Sequence, residues 1–207
     1  MVSKRELLKS IRQANRQNIE KRVERMLELM QLLDVESIWD LYPNLYMNGD
    51  SQNLKIQDAL GELTQAFWHQ ALRCYIDSSY IGCVILSSAA LETALKFMLV
   101  ASGVENPRYG LGTCITRCIQ NNIFPPEDNE IVIAANSVNQ KRNDIIHANI
   151  ARERPDSVIY SDGPEHSVRE LGHGFQEIGP FQNAAKDILV NTKMVLDYFI
   201  HDAAFTE

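Results

Sequence analysis

Several features that would assign the chain to a specialised class are missing from its sequence. The longest apolar stretch, residues 81–100, is interrupted by three hydroxyl side chains, a glutamate and a lysine, so we expect no membrane span. The first residues lack the apolar segment and cleavage site of a secretory signal, which predicts a cytoplasmic protein. Repeats and low-complexity tracts are missing too, and the 45% apolar content indicates an ordinary globular domain.

Cysteine and histidine patterns typical of metal sites are also missing. The four cysteines form no Cys-x-x-Cys, and Cys114 and Cys118, although spaced for one helix face, have no histidine near them in sequence. His166 and His173 are the only loose histidine pair. We therefore expect buried free thiols, no metal site and no cofactor.

Basic residues are scarce except at the beginning of the chain. The net charge of -7 argues against a protein that coats nucleic acid by bulk electrostatics. Residues 1–25, here called the basic arm, hold eight basic and three acidic side chains, a net of +5, and the remainder holds -12. The basic arm is suited to contact phosphates or an acidic partner, although such a segment is often only a solvated helix face.

Helical periodicity dominates what is present. Apolar residues recur at threes and fours from Val23 to Leu33, and glycine at 103 marks the end of a helix that begins after residues 77–79. Further helices are predicted at about 112–120, 129–150 and 181–203. Another helix is expected to bury one apolar face: Ile56, Leu60, Leu63, Phe67, Ala71 and Cys74.

These segments predict an all-α, up-and-down bundle of five to six helices. Residues 1–50 form an N-terminal helical extension that contains the basic arm, and residues 51–207 form the bundle. A glycine- and proline-containing loop, with room for a short hairpin near 161–163, is inserted at about 152–180.

The helix predicted at 129–150 carries the chemistry. One stripe is apolar except for Arg142, and a guanidinium on a core-facing stripe needs partners. The apolar members of this stripe are Ile131, Ala135, Val138, Ile145 and Ile146. Another face is polar but uncharged, which is typical of a cleft that forms hydrogen bonds. This second face consists of Asn136, Gln140, Asn143 and His147, of which the last two are an i,i+4 pair.

Two segments resemble a known family. Residues 137–147, SVNQKRNDIIH, are similar to the R-x(4-6)-H signature of the HEPN superfamily in its R-N-x-x-x-H form, from Arg142 to His147. Residues 74–92, which end in SAALE, resemble the first core hairpin of that family. The resemblance spans roughly residues 54–150 and the last helix, and it does not include residues 1–50 or the loop at 152–180.

The resemblance implies a helical bundle that forms a homodimer in which two motifs meet, in many members a metal-independent ribonuclease. By position, Arg142, Asn143 and His147 are the implied catalytic residues, and we add Glu92 and Lys141 as supporting charges. A toxin or antiviral defence effector with an antitoxin or activator partner is the role this suggests. The tyrosine that some members carry two residues after the histidine is Asn149 here, so nucleotide transfer to that position is not expected.

RNA cleavage chemistry agrees with these residue types. RNA supplies its own nucleophile in the 2'-hydroxyl, so cleavage needs a base, an acid and a cation for the phosphorane charge. An imidazole serves either proton role, a guanidinium matches phosphate bidentately, and a two-fold dimer supplies two histidines. Two alternatives stay open. One is a non-catalytic module of the same fold that binds RNA, a nucleotide or a protein. The other is a helical adaptor in which Arg142 and His147 are structural, and Arg142 simply pairs with Glu92 across the bundle.

Overall fold

The computed structural model describes residues 4–36, 54–104, 107–124, 129–146 and 179–201. These residues form helices and connecting turns and contain no strand, which confirms the all-α prediction. The six helices are α1 (Lys4–Leu32), α2 (Leu54–Ile76), α3 (Tyr80–Ala101), α4 (Leu111–Gln120), α5 (Glu130–Ile146) and α6 (Gly179–His201).

Helix α3 is the centre of the bundle and packs against α2, α4, α5 and α6. Its interior side chains, among them Leu91, Leu95 and Leu99, are fully buried. Gly103 lies just past the end of the helix at Ala101, as the sequence predicted, and its φ of 89° is the left-handed conformation that glycine adopts without strain. By length and composition α3 also passes for a membrane-spanning helix, but 61% of its most apolar window is buried in the protein, as in a core helix.

The buried face of α2 differs from the predicted one. Ile56 and Leu63, expected in the core, are 42% and 45% exposed, whereas the polar side chains of Gln57 and Thr64 are buried. The Thr64 hydroxyl lies 2.9 Å from that of Thr93 on α3 and 2.8 Å from the Leu60 carbonyl, so its burial is satisfied by hydrogen bonds. Trp68, Leu72 and Tyr75, each one residue after a predicted core position, are buried in the interior. The buried face of α2 is therefore rotated by about one residue from the predicted face.

Helix α1 lies half inside and half outside the bundle. Its C-terminal part packs into the core through Leu29, and Leu33 just beyond it is buried too. Val23 and Leu27, predicted on the packed face, are 49% and 56% exposed. The described side chains before Arg25 are exposed, so nearly the whole basic arm projects from the bundle.

The end of the basic arm is nevertheless attached to the bundle. The Arg22 guanidinium lies 3.1 Å from the Asp77 carboxylate, and Arg25 donates a hydrogen bond to the Ile76 carbonyl. A third tie joins α1 to α6, where Lys186 forms an ion pair with Glu28. Residues 8–21, which precede these ties and have exposed side chains, are here called the free half of α1.

Helices α5 and α6 run antiparallel beside α3. Asn191 donates a hydrogen bond of 3.1 Å to the Ser137 hydroxyl, and further along Lys141 lies 2.9 Å from Asp187. Helix α5 begins at a cap, since the Asn129 side chain accepts a hydrogen bond of 2.9 Å from the Ile131 amide.

The apolar stripe predicted on α5 is only partly buried. Ala135 and Val138 lie in the core, and Ile131 and Ile145 pack against its edge. Ile146 is 52% exposed, so its predicted burial is wrong. Helical periodicity gives the direction of a side chain but not whether another element lies opposite it.

Some predictions fall outside the described residues. These are His147, the hairpin near 161–163, the histidines at 166 and 173, and the division at residue 50. The inserted loop also lies outside, except that Gly179 and Pro180 begin α6.

Candidate functional site

The candidate site is built around Arg142 on α5. Its guanidinium lies 4.0 Å from a carboxylate oxygen of Glu92 on α3, as the structural alternative from the sequence anticipated. The two side chains are 32% and 20% exposed, so the pair lies at the boundary between core and solvent. Arg142 therefore has a partner within its own chain, and its charge does not require a second copy for compensation.

Glu92 is shared with a second cation that the sequence reading missed. The ammonium of Lys96 lies 2.6 Å from the other Glu92 oxygen, one helical turn further along α3. The i,i+4 spacing of Glu92 and Lys96 was the signal that could have found it. One carboxylate facing two cations leaves a net charge of +1 on these three groups, which favours an anion nearby.

Glu92 holds Lys96 closely and Arg142 loosely, so the two cations differ in how readily they can move to a ligand. A distance of 4.0 Å exceeds a hydrogen bond, so Glu92 holds the Arg142 guanidinium by charge and not by a fixed fork geometry. A phosphate oxygen can then recruit this guanidinium without breaking a strong bond. Lys96 meanwhile neutralises Glu92 and reduces its repulsion of the phosphate.

The predicted supporting residue Lys141 serves a different purpose from Glu92. Its ammonium pairs with Asp187 on α6. Lys141 itself precedes Arg142 on α5 and therefore points about a third of a helical turn away from it. The Lys141 side chain is 29% exposed and the Asp187 side chain 57% exposed. This pair fixes α5 against α6 and so positions the helix that carries the motif.

The polar face of α5 is open surface in the part that the structure describes. Asn136, Gln140 and Asn143 are all exposed, and so is Ile133 on the same side of the helix at 58%. The predicted cleft is therefore not formed by the described residues around these amides. They are nevertheless free to reach a ligand that lies across α5.

Exposed isoleucines adjoin the charge cluster. On α3, Ile81 and Ile85 lie on the same side of the helix as Glu92 and are 46% and 43% exposed. On α5, Ile146 is exposed at the described end of the helix, about one turn after Arg142. Apolar side chains exposed next to a charged site are typical of a protein interface.

The cysteines offer no activated nucleophile. All four thiols are free, as predicted, and Cys83, Cys114 and Cys118 are buried. Burial raises the pKa of Cys83 and Cys118 to about 12 and that of Cys114 to about 11. Burial also raises the pKa of the half-buried Cys74, although less strongly. A thiol with a raised pKa carries little thiolate at neutral pH, so these groups pack and do not react.

Within the described ranges, no group of three or more His, Cys, Asp or Glu side chains can hold a metal ion.

Comparison with known proteins adds no relative: no family model, curated protein or solved structure matches the chain.

Proposed function

We propose that the chain is a metal-independent endoribonuclease of the HEPN type. The observation that carries the proposal is the position of Arg142, which begins the R-N-x-x-x-H motif and lies at the bundle surface, partly exposed and only loosely paired. A guanidinium in this state is suited to stabilise the negative charge of a phosphorane. Asn143, the next motif residue, is exposed as well.

The proposed reaction uses the RNA's own hydroxyl. The 2'-oxygen attacks the adjacent phosphorus as a base removes its proton, and the bond to the 5'-oxygen breaks as an acid protonates that leaving group. The products are a 2',3'-cyclic phosphate and a 5'-hydroxyl end. We assign the proton transfers to His147, the stabilisation of charge to Arg142, and the orientation of the imidazole to Asn143.

The reaction needs both a base and an acid, and each chain has one motif histidine, His147. The proposal therefore includes a homodimer that supplies two. Exposed isoleucines support an interface that brings two motifs together: Ile81 and Ile85 on the Glu92 side of α3, and Ile146 about one turn after Arg142 on α5. Light scattering at micromolar concentration should give about twice the chain mass. A chain that remains monomeric at these concentrations while it cleaves RNA would contradict the composite site.

The Arg142–Glu92 contact also supports a second candidate. A carboxylate next to the motif arginine is what a non-catalytic module would use to hold its surface arginine, and such a module binds RNA, a nucleotide or a protein without reaction. Binding without cleavage is the outcome that separates it from the enzyme.

The experiment is the incubation of purified full-length chain with end-labelled single-stranded RNA in EDTA. Cleavage should proceed, and the products should carry cyclic phosphate and 5'-hydroxyl ends because the nucleophile belongs to the RNA. DNA of the same sequence, which lacks the 2'-hydroxyl, should remain intact. Cleavage that depends on Mg²⁺ would overturn the mechanism, and binding of RNA without any cleavage would favour the non-catalytic module.

A further inference from the structure

The free half of α1 exposes more apolar surface than a solvated helix needs. Leu8, Ile11 and Ile19 are 46%, 47% and 62% exposed. At about 100° per residue these three side chains fall within roughly 80° of one another around the helix axis. Lys9, Arg12 and Arg16 are exposed too and follow the neighbouring side of the helix at spacings of three and four. The free half thus has a largely apolar stripe, interrupted by the exposed Asn15, with a basic border in which Arg16 also forms an ion pair of 3.1 Å with Glu20.

The outer face of α2 has the complementary pattern. Ile56, Ala59, Leu63 and Ala66 are exposed at spacings of three, four and three, so they form one stripe in which large and small side chains alternate. The alanines leave grooves that can receive the side chains of a facing helix. Asp58 and Glu62, both exposed and one turn apart, lie along the border of this stripe. We call residues 56–66 of this face the outer face of α2.

We propose that the free half of α1 docks on the outer face of α2 in a second copy of this chain. The apolar stripes bury each other, and the basic border of one helix lies along the acidic border of the other. Since every chain has both surfaces, two copies can exchange their N-terminal helices about a two-fold axis.

The same chain cannot supply both partners. Arg22 and Arg25 attach α1 to the C-terminal end of α2, at Asp77 and Ile76. The near end of the outer face of α2, residue 66, lies 10 residues before Ile76. At 1.5 Å per residue this is about 15 Å along α2, and the rest of the face lies further from Ile76. Helix α1 is continuous from Lys4 to Leu32, and its free half leaves its own outer face of α2 exposed. Contact between these surfaces therefore needs another molecule.

The apolar stripe decides between a protein partner and RNA. A phosphate backbone would neutralise Lys9, Arg12 and Arg16 but would leave Leu8, Ile11 and Ile19 exposed to water. The outer face of α2 has acidic side chains that neutralise the basic border and apolar side chains that cover the apolar stripe. The inference does not depend on the proposed ribonuclease activity, because neither surface includes Arg142 or Glu92.

The direct test is a photo-crosslink in the full-length protein. Ile11 is replaced by p-benzoylphenylalanine, and chains labelled with ¹⁴N and ¹⁵N are mixed before irradiation. We expect crosslinked peptides that combine both labels and map to residues 54–70. Crosslinks confined to one label, crosslinks to another region, no crosslink between copies, or capture of added RNA in place of α2 would each overturn the proposal.

Charge reversal tests the borders. Lys9→Glu with Arg12→Glu, or Asp58→Lys with Glu62→Lys, should each weaken self-association about tenfold or more, as measured by sedimentation velocity at low salt. An equal mixture of the two double variants should restore association, because each reversed border then meets an opposite one. Glu36→Lys, at an exposed site outside both surfaces, is the matched control and should change nothing. Failure of the mixture to recover association, or no effect of either double variant, would contradict the exchange. RNA cleavage by the unaltered chain, assayed in parallel, reports separately on the proposed function, because it does not depend on how the variants associate.

Discussion

The guanidinium of Arg142 and the carboxylate of Glu92 lie 4.0 Å apart, across the contact between α5 and α3. The same carboxylate lies 2.6 Å from Lys96, so it holds one cation closely and the other loosely. This difference in distance leaves the Arg142 guanidinium the more available of the two cations. Lys96 satisfies Glu92, and Arg142 can turn from the carboxylate toward a phosphate at small cost in free energy.

A double-mutant cycle on Arg142→Ala and Glu92→Gln should show weak coupling. Both side chains are partly exposed and their contact is long, so we expect the coupling energy in urea unfolding to lie below about 1 kcal/mol. The Arg142→Ala chain should accordingly fold, which makes it usable in cleavage assays. A coupling of about 3 kcal/mol or more, typical of a buried ion pair, would show that Arg142 is structural.

Truncation should distinguish the free half of α1 from its attached end. A chain that lacks residues 1–20 should keep its melting temperature at protein concentrations too low for self-association, because the described side chains among these residues are exposed and bury little surface. Removal of residues 1–25 also deletes the Arg22–Asp77 pair and the Arg25 hydrogen bond to Ile76. The loss of about 1–2 kcal/mol should then lower the melting temperature by roughly 2–8 °C.

Arg25→Met in the full-length chain is the control for this truncation, since it keeps the length and removes the hydrogen bond. It should reproduce part of the decrease. If the shorter truncation already unfolds or aggregates the protein, the free half of α1 belongs to the core of the monomer.

The pH dependence of stability should include a contribution from Glu28. Burial alone would raise the pKa of this carboxyl, but the ion pair with Lys186, the nearby Tyr75 hydroxyl and the charge of Arg25 together lower it below its ordinary value. A pKa that is lower in the folded state stabilises the fold above the unfolded pKa, near 4.5, and this stabilisation is lost as the pH falls through the folded value.

Glu28→Gln should therefore destabilise the protein at pH 7, and this effect should shrink as the pH falls below 4.5 and through the lowered pKa of the folded state. Urea unfolding of the two chains at a series of pH values measures this difference. Lys193→Met, which removes an ion pair within α6 alone, is the control and should be nearly neutral throughout. A Glu28→Gln effect that is constant with pH would indicate lost packing in place of a lost charge.

The sequence was sufficient for the helices because their signals are local. The glycine at 103 ends α3 as expected, and each predicted helix that lies in the described residues is present. The buried face of α2 could not be predicted in the same way. Burial of Thr64 depends on Thr93, 29 positions later, whose hydroxyl lies within hydrogen-bond distance. Apolar spacing alone therefore placed Ile56 and Leu63 in the core, where neither lies.

The candidate site, like the fold, was predicted in part from the sequence. Arg142 was identified from its motif, and its contact with Glu92 was anticipated as a pairing across the bundle. The exposure of Ile146 could not be foreseen, since it depends on where α3 and α6 lie and not on the sequence of α5. Lys96 was overlooked although its spacing from Glu92 is a simple helical one.

The most direct test of the account is the rate of RNA cleavage in EDTA for His147→Ala beside Asn143→Ala. If His147 transfers the protons, its removal should lower the rate by about 10²- to 10⁴-fold while RNA binding and the dimer persist. Asn143 is exposed and acts only through the histidine, so Asn143→Ala should have a smaller effect and leave stability unchanged. A His147→Ala chain that cleaves RNA as fast as the unaltered protein would contradict the central claim.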